Sequence, residues 1–289
     1  VTKLSNTACL WQDHSRRKTL PNAPHIHVER GGLILRQSRG AGEIEACQRL
    51  RYNVFYEELG ASPEDEAAAR RLDHDRFDAI CDHLVVVRRA DAVHGGIRLD
   101  DGELIGTYRL LRQDVAEANG GFYTEAEFDI VPLTRRHPGL RFLELGRSCV
   151  LKPFRTKPVV ELLWQGIWNY VRAHDMHVML GCASLEGANP DAHARALSFL
   201  SQAAAPPEWN VRAVSGRSVE MRRLPPSEID PRQALKDLPP LIKGYLRLGC
   251  YIGEGAVIDR QFNTTDVLII LPVSAINARY FAHFGQPNG

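Results

Sequence analysis

Apolar residues recur along this chain in two rhythms, and each change of rhythm marks an element. From Glu43, "EIEACQRLRYNVFYEELG" sets Ile44, Cys47, Leu50, Val54, Phe55 and Leu59 on one face at helical spacing, and Gly60 stops the helix. "HLVVVRR" and "ELIGTYRLL" read as strands, and the turn Asp100-Asp101-Gly102 joins the second to "VHGGIRL" as a hairpin. "FDIVPL" begins another extended segment. "RFLELGRSCVLKP" is a strand that ends at a proline-bracketed basic loop, "KPFRTKP". The next run, "VVELLWQGIWNYVRAHDM", returns to helical spacing through Leu162, Leu163, Ile167, Tyr170 and Val171.

"HVMLGCASL" is a further buried strand, and "NPDAHARALSFLSQ" a helix with Asn189 as N-cap and Pro190 in its first position. Residues 203–240, rich in proline, serine and charge, predict irregular connections around a strand such as "WNVRAVS". "PLIKGYLRLG" reads as helix, "AVIDRQFNTTDVLIILP" as two paired strands, and "AINARYFAHF" as an aromatic-rich closing helix. Residues 1–30 have no periodicity and are expected to be a mobile extension, with order beginning near "LILRQS". The remainder, 31–289, is expected to be a single domain.

Composition narrows the class. With 44% hydrophobic and 25% charged residues in 289, the chain is an ordinary globular protein. Thirty-six basic residues against thirty-five acidic leave a net charge of +1, so no overall field points to nucleic acid, and a charged partner must be met by a local patch. The six cysteines are scattered without a C-x-x-C pair and read as reduced thiols. No signal-like or membrane-spanning apolar run occurs, and a cytoplasmic location is expected, with a peripheral contact at the inner face of the cytoplasmic membrane left open.

The phosphate-binding loop of NTPases, the H-E-x-x-H zinc motif and the G-x-S-x-G nucleophile elbow are all missing. "GEGAVI" at 253–258 is only a fragment of a dinucleotide fingerprint, and His174 with His177 lacks a third ligand nearby in sequence, so neither a bound cofactor nor a metal is expected. Two features carry more chemistry. The basic loop with Lys152, Arg155 and Lys157 precedes a helix, whose N-terminal N–H groups can seat a phosphate. "RRLDHDRFDAICD" crowds Asp73, Asp75, Asp78 and Asp82 around Phe77 just before a strand. Such a cluster either solvates a turn or holds a cation.

In chain order, "RYNVF", "DHDRFD", "GTYRLL" and "ELGR" resemble the acyl-homoserine-lactone synthase branch of the GNAT acyltransferases. "ELGRSCVLKPFRTKPVVELLWQGIWNY", "LGCASLEGANP" and "LPPLIKGYLRLGCYIGEGAVIDRQFNTTDVLIILP" more fully resemble the ornithine N-acyltransferases that make lyso-ornithine lipid, over about residues 33–285. This resemblance implies an α/β (α+β) fold with a GNAT-like mixed, twisted central sheet flanked by helices, and a family-specific C-terminal segment at about 239–285. It also implies transfer of a (3-hydroxy)acyl chain from acyl carrier protein to the α-amine of L-ornithine, with acyl-phosphopantetheine as co-substrate.

Carried over by position, the pattern lands on Arg51, Phe55, Asp73, Asp75, Asp78, Arg109, Glu144 and Arg147. The aspartates and Glu144 are expected either to hold the cationic amino acid or to pair with Arg51, Arg109 and Arg147. Glu144 is the leading general base and Asp78 the second. The thioester is expected to enter between splayed strands near 144–150, polarised by backbone N–H groups of Ser148, Cys149 and Val150. Cys149 itself reads as a core thiol ahead of a covalent acyl carrier. "KPFRTKP" lacks the R-x-x-G-x-G/A pyrophosphate signature of coenzyme-A-using GNAT enzymes, which fits a carrier-protein donor landing on Arg135, Arg136, Lys152, Arg155 and Lys157. Ile276, Tyr280, Phe281 and Phe284 offer an apolar helical face for a membrane surface or for the core. An acyl-homoserine-lactone synthase and a non-catalytic carrier-protein or membrane-binding module are the rival readings.

Overall fold

The computed structural model describes residues 26–89 and 93–276. Its strands are β1 (His27–Arg30), β2 (Leu33–Gln37), β3 (Asp82–Arg88), β4 (Ile97–Leu99), β5 (Gly102–Arg112), β6 (Phe142–Val150), β7 (Val178–Glu186), β8 (Ser218–Val219), β9 (Tyr251–Asp259) and β10 (Thr264–Pro272). They form one sheet in the order β1-β2-β3-β5-β6-β7-β10-β9-β8, with β4 paired to β5 alone. Every pairing is antiparallel except β6 with β7. The α-helices are α1 (Ala41–Tyr52), α2 (Asp65–Arg70), α3 (Gln113–Ala118), α4 (Val131–Arg136), α5 (Lys157–Ala173), α6 (Ala194–Leu200), α7 (Pro231–Asp237) and α8 (Pro240–Leu248). A parallel pair needs a long crossover, and α5 supplies it between β6 and β7.

Helices cover both faces of the sheet, and β2 shows how one strand serves both. Leu35 points to the face where a Cβ on Gly166 of α5 would collide with it, so the missing side chain lets helix and sheet approach. Its neighbour Arg36 points the other way and binds Glu43 of α1 through two bonds of 2.7 Å, and Asp101 at 2.8 and 2.9 Å. The central strands β3 and β5 are buried along almost their whole length, which is why their sequences run apolar instead of alternating. No helix among the described residues is long and apolar enough to cross a membrane.

Several expected elements differ. Order is present from His27, ahead of "LILRQS", because β1 pairs with β2. "FDIVPL" is not extended: it leads into α4, whose first turn carries Pro132, a residue suited to that position. "WNVRAVS" contributes only isolated bridges, Phe128 with Ala213 and Arg212 with Glu254. Asn189 does cap, accepting from Asp191 N at 3.1 Å, but it caps a 3-10 turn that precedes α6. The helix expected through Leu59 is α-helical only to Tyr52 and widens to a π-helical turn over Asn53–Glu58. That wider turn carries Phe55 and Leu59 away from the core face and toward a cavity. Tyr280, Phe281 and Phe284 lie outside the described residues, while Ile276 is buried.

The parallel ladder is short. It joins Phe142 to Val178, Leu143 to Met179 and Glu144 to Leu180, and then stops. Beyond that point β6 stays with β5 as far as Val150, and β7 stays with β10 as far as Glu186. Gly181 stands at the fork, where a Cβ would lie 2.3 Å from the carbonyl oxygen of Leu145. Gly181→Ala is therefore expected to push the two strands apart and cost about 1–3 kcal/mol. Denaturant unfolding of the two proteins measures that difference, and an unchanged midpoint counts against the close approach.

Candidate active site

Where β6 and β7 part, a cavity of about 350 Å³ opens between them. Gly146, Arg147 and Ser148 line one side, and Cys182, Ser184 and Glu186 the other. Phe55 and Leu59 from the π-helical turn, Leu241 from α8 and Phe262 complete the wall, so the C-terminal segment helps to close it. Phe55 meets Phe262 edge-on at 5.8 Å between ring centroids.

Glu144 sits at the apex, on the last paired residue before the fork. Its side chain is buried, and its two oxygens accept backbone N–H bonds from Thr124 at 2.6 Å and Tyr123 at 3.0 Å. Burial raises its pKa above the usual carboxylate range, outweighing the hydrogen bonds from Thr124 and Tyr123 that act to lower it. A fixed carboxylate of raised basicity at the wall of a cavity is the arrangement a general base needs.

The acidic turn resolves differently from a cation seat. Arg51 of α1, fully buried, binds Asp73 at 2.7 Å and both oxygens of Asp78 at 2.8 and 2.9 Å. Arg109 of β5 binds Asp75 at 2.7 Å and Asp78 at 3.2 Å, and Arg147 of β6 binds Asp73 at 3.2 Å and Asp75 at 3.5 Å. Three guanidinium groups thus neutralise three carboxylates, and of the six side chains only Arg109 and Arg147 line the cavity. Burial acts to raise the pKa of Asp78, but the charges of Arg51 and Arg109 prevail and hold it at about 2. Asp78 is therefore a poor base, and Asp73, Asp75 and Asp78 are structural partners of the arginines. Asp82 belongs elsewhere, accepting from the Tyr170 hydroxyl at 2.5 Å.

Arg147 reaches this lattice because β6 bulges. Thr107 pairs with Cys149 and Arg109 with Gly146, so Arg147 and Ser148 together oppose the single residue Tyr108. Arg147 takes a left-handed φ of 49°, and its guanidinium lies 4.7 Å from the Tyr123 ring centroid and 4.6 Å from that of Phe262. Ser148 lines the cavity, whereas Cys149 and Val150 are buried in the ladder with β5. Burial pushes the Cys149 thiol far up, so it is a core residue and no nucleophile.

The five expected landing cations form two groups. Lys152 and Lys157 are exposed on the segment that leaves β6, and Arg155 there is held by Glu58 at 2.6 and 2.8 Å. Arg135 and Arg136 are exposed on α4, before the other end of β6, a strand of roughly 26 Å. Arg136 donates to the backbone oxygens of Glu208 and Asn210. The histidine pair has different partners: His174 packs on Tyr170 with the rings tilted at 35°, and His177 accepts from Arg141 N at 3.0 Å.

A second acidic cluster was not singled out in the sequence. Glu127, Asp259 and Asp266 bring carboxylate oxygens within 4.8 Å of one another, and Asp259 and Asp266 line the cavity. Burial, and next the charge of Glu127, raise the pKa of Asp266 to about 7. The available signal was a lone aspartate in the apolar run "TTDVLIILP".

Residues 50–165 match the family model described as an acetyltransferase (GNAT) domain. The L-ornithine N(alpha)-acyltransferase of Agrobacterium fabrum is 50% identical over 256 residues, covering 88% of this chain and 86% of the relative. That of Rhizobium meliloti is 51% identical over 258 residues, covering 89% and 86%. The chain belongs to the L-ornithine N(alpha)-acyltransferase family. The more distant relative from Rhodobacter capsulatus bearing the same name is 41% identical over 85% of this chain and 92% of its own. Among solved structures, the acyl-homoserine-lactone synthase LasI aligns with a TM-score of 0.46 at 12% identity, over 89% of this chain and 97% of that one. FeeM, an N-acyl amino acid synthase from uncultured soil microbes, aligns at 0.44 and 12%, over 84% and 91%. For this member of the family, the mixed, helix-flanked sheet is the GNAT architecture expected from the sequence.

Two stability effects of opposite sign follow from the buried charges. Arg51→Ala leaves Asp73 and Asp78 without their main partner and is expected to cost about 3–5 kcal/mol, with Arg51→Lys unable to restore the forked contacts. Asp266 binds its proton more tightly folded than unfolded, so it stabilises below about pH 4 and that contribution is lost as pH rises through about 7. Asp266→Asn is therefore expected to be more stable than the parent at pH 8, by up to about 4 kcal/mol, and nearly equal at pH 4. Denaturant titrations at the two pH values measure both effects.

Proposed function

We propose that this protein transfers a (3-hydroxy)acyl chain from the phosphopantetheine arm of acyl carrier protein to the α-amine of L-ornithine, giving lyso-ornithine lipid. The observation that carries the proposal is Glu144, a buried carboxylate of raised pKa at the apex of the fork between β6 and β7. An α-ammonium must lose a proton before it can attack, and Glu144 takes it. The free amine then adds to the thioester carbonyl, the C–N bond forms, the C–S bond breaks, and the second proton of the nitrogen passes to the departing thiolate, leaving a neutral amide and a thiol. The ornithine carboxylate falls to Arg147, whose guanidinium is presented to the cavity between Tyr123 and Phe262. The bulge at Arg147 and Ser148 interrupts the ladder with β5, which favours a free N–H for the developing oxyanion.

The carrier-protein donor is supported by the loop "KPFRTKP", which has no glycine to admit a pyrophosphate closely but offers exposed Lys152 and Lys157 to an acidic partner. Purified protein given acyl carrier protein, long-chain acyl donor and L-ornithine is expected to yield N-acylornithine by mass spectrometry. Equal rates from acyl-CoA would refute the carrier-protein donor. Glu144→Gln is expected to lower kcat by about 10²–10⁴ while the melting temperature is retained. A kcat near that of the parent removes Glu144 from the role of base.

A further inference from the structure

Asp266 is a buried group that the reaction above does not use. Only 6% of it is accessible, it lines the cavity, and its Oδ1 has no hydrogen-bond partner. The Ser184 hydroxyl favours the ionised carboxyl less than burial and Glu127 disfavour it, and Thr264 Oγ1 is buried without a partner within hydrogen-bond geometry. Around it, Asp259 accepts the Phe262 N–H at 2.9 Å, and Glu127 is bonded to Arg217 at 3.3 Å and to the Cys182 thiol at 3.2 Å. Three carboxylates face Arg217 and, more weakly, Arg147, which leaves negative charge beside two unpartnered oxygens. Such a cluster lacks a cation, and the cavity gives one a route to it.

Resting on the acceptor reading above, we propose that Asp266, with Asp259 and Glu127, is the seat for the side-chain ammonium of the diamino-acid acceptor and sets the preference for a cationic side chain. The sheet supplies the spacing. Asp266 is paired with Ser184, and Glu144 with Leu180, four residues earlier on β7 and on the same face. That is roughly 13 Å along the strand, and the two residues flank β7 on opposite sides, about 10 Å apart across it, so their Cα atoms lie about 16 Å apart. An extended 2,5-diamino acid places its nitrogens about 6 Å apart. With a hydrogen bond of about 2.9 Å at each end it joins acceptors about 12 Å apart. One molecule gives its α-amine to Glu144 and its terminal ammonium to Asp266 when the two side chains close the remaining few ångströms across the cavity they both line. An ammonium fits better than a divalent metal, because Glu127 and Asp259 are already engaged by Arg217 and the Phe262 N–H and the hydroxyl of Thr264 is the next free acceptor.

The test compares L-ornithine with L-norvaline, which has the same carbon chain without the terminal ammonium, for the parent, Asp266→Asn and Asp259→Asn. The parent is expected to prefer ornithine strongly in kcat/KM. In Asp266→Asn that preference should fall at least tenfold, mainly through the KM for ornithine, and Asp259→Asn should act in the same direction. Both variants are near-isosteric, and circular dichroism verifies the fold. A parent that prefers ornithine and an Asp266→Asn protein that keeps the whole preference overturn this seat while leaving the acceptor reading intact. A parent that acylates neither amino acid overturns both. Calcium or magnesium bound by the parent and lost in Asp266→Asn, with ornithine preference unmoved, assigns the cluster to a metal and also overturns the proposal.

Discussion

The hydrogen bonds that β6 and β7 do not make govern the molecule. Their parallel ladder lasts three residue pairs, and beyond Glu144 and Leu180 each strand is claimed by its other neighbour. A sheet interior that opens in this way exposes backbone and side chains inside the protein, where water would otherwise be needed to satisfy them. Here the opening is held from both sides. The bulge at Arg147 anchors β6 to the acidic turn, and the ladder from Val178 to Glu186 anchors β7 to β10. A largely apolar cavity with a few charged groups, in the middle of an otherwise continuous sheet, is the outcome.

Charge is sorted around that opening with little waste. The lattice of Arg51, Arg109 and Arg147 with Asp73, Asp75 and Asp78 is neutral as a whole, and buried ions of one sign alone would be far costlier than this set. It ties α1, the turn before β3, β5 and β6 to one another, so it fixes the positions of the strands that build the wall. The lattice turns Arg109 and Arg147 to the cavity and keeps Arg51 and the aspartates away from it. The carboxylates the cavity does meet are Glu144, Glu186, Asp259 and Asp266. The cavity thus meets both signs of charge, with Arg147 and Glu144 coming from the one strand β6 and Asp259 and Asp266 from the β9–β10 hairpin region.

The elements were legible wherever one physical signal dominated. Strand β3 declared itself by an unbroken apolar run, α5 by helical spacing after a proline-marked start, and the β9–β10 hairpin by two apolar segments around "DRQFNTT". Glu144 and the arginines were legible through short motifs. Partnership was legible only as an alternative. Pairing of Asp73, Asp75 and Asp78 with Arg51, Arg109 and Arg147 was one of two expectations, and nothing in the spacing chose it over a cation seat until α1, β5 and β6 were seen to converge on the turn. Glu127, Asp259 and Asp266 show the converse, since they are far apart in the chain and meet only when β9 and β10 pair beneath the segment that follows α3. The π-helical turn was invisible for a local reason. Phe55 and Leu59 fit a helical stripe by spacing, and only a change of pitch at Asn53 separates them from it.

Glu144 and Asp266 are both carboxylates whose pKa burial raises, yet their surroundings assign them different work. Glu144 already accepts two backbone N–H bonds, so its oxygens are fixed in place and its charge, once formed, has permanent partners. A group of that kind can gain and lose a proton without rearrangement, which suits proton transfer. Asp266 has an oxygen with no partner and a neighbouring carboxylate that repels its charge. Its ionised form is incomplete without a cation, so ionisation and cation binding favour each other, and the same burial suits one residue to the proposed base and the other to the proposed cation seat.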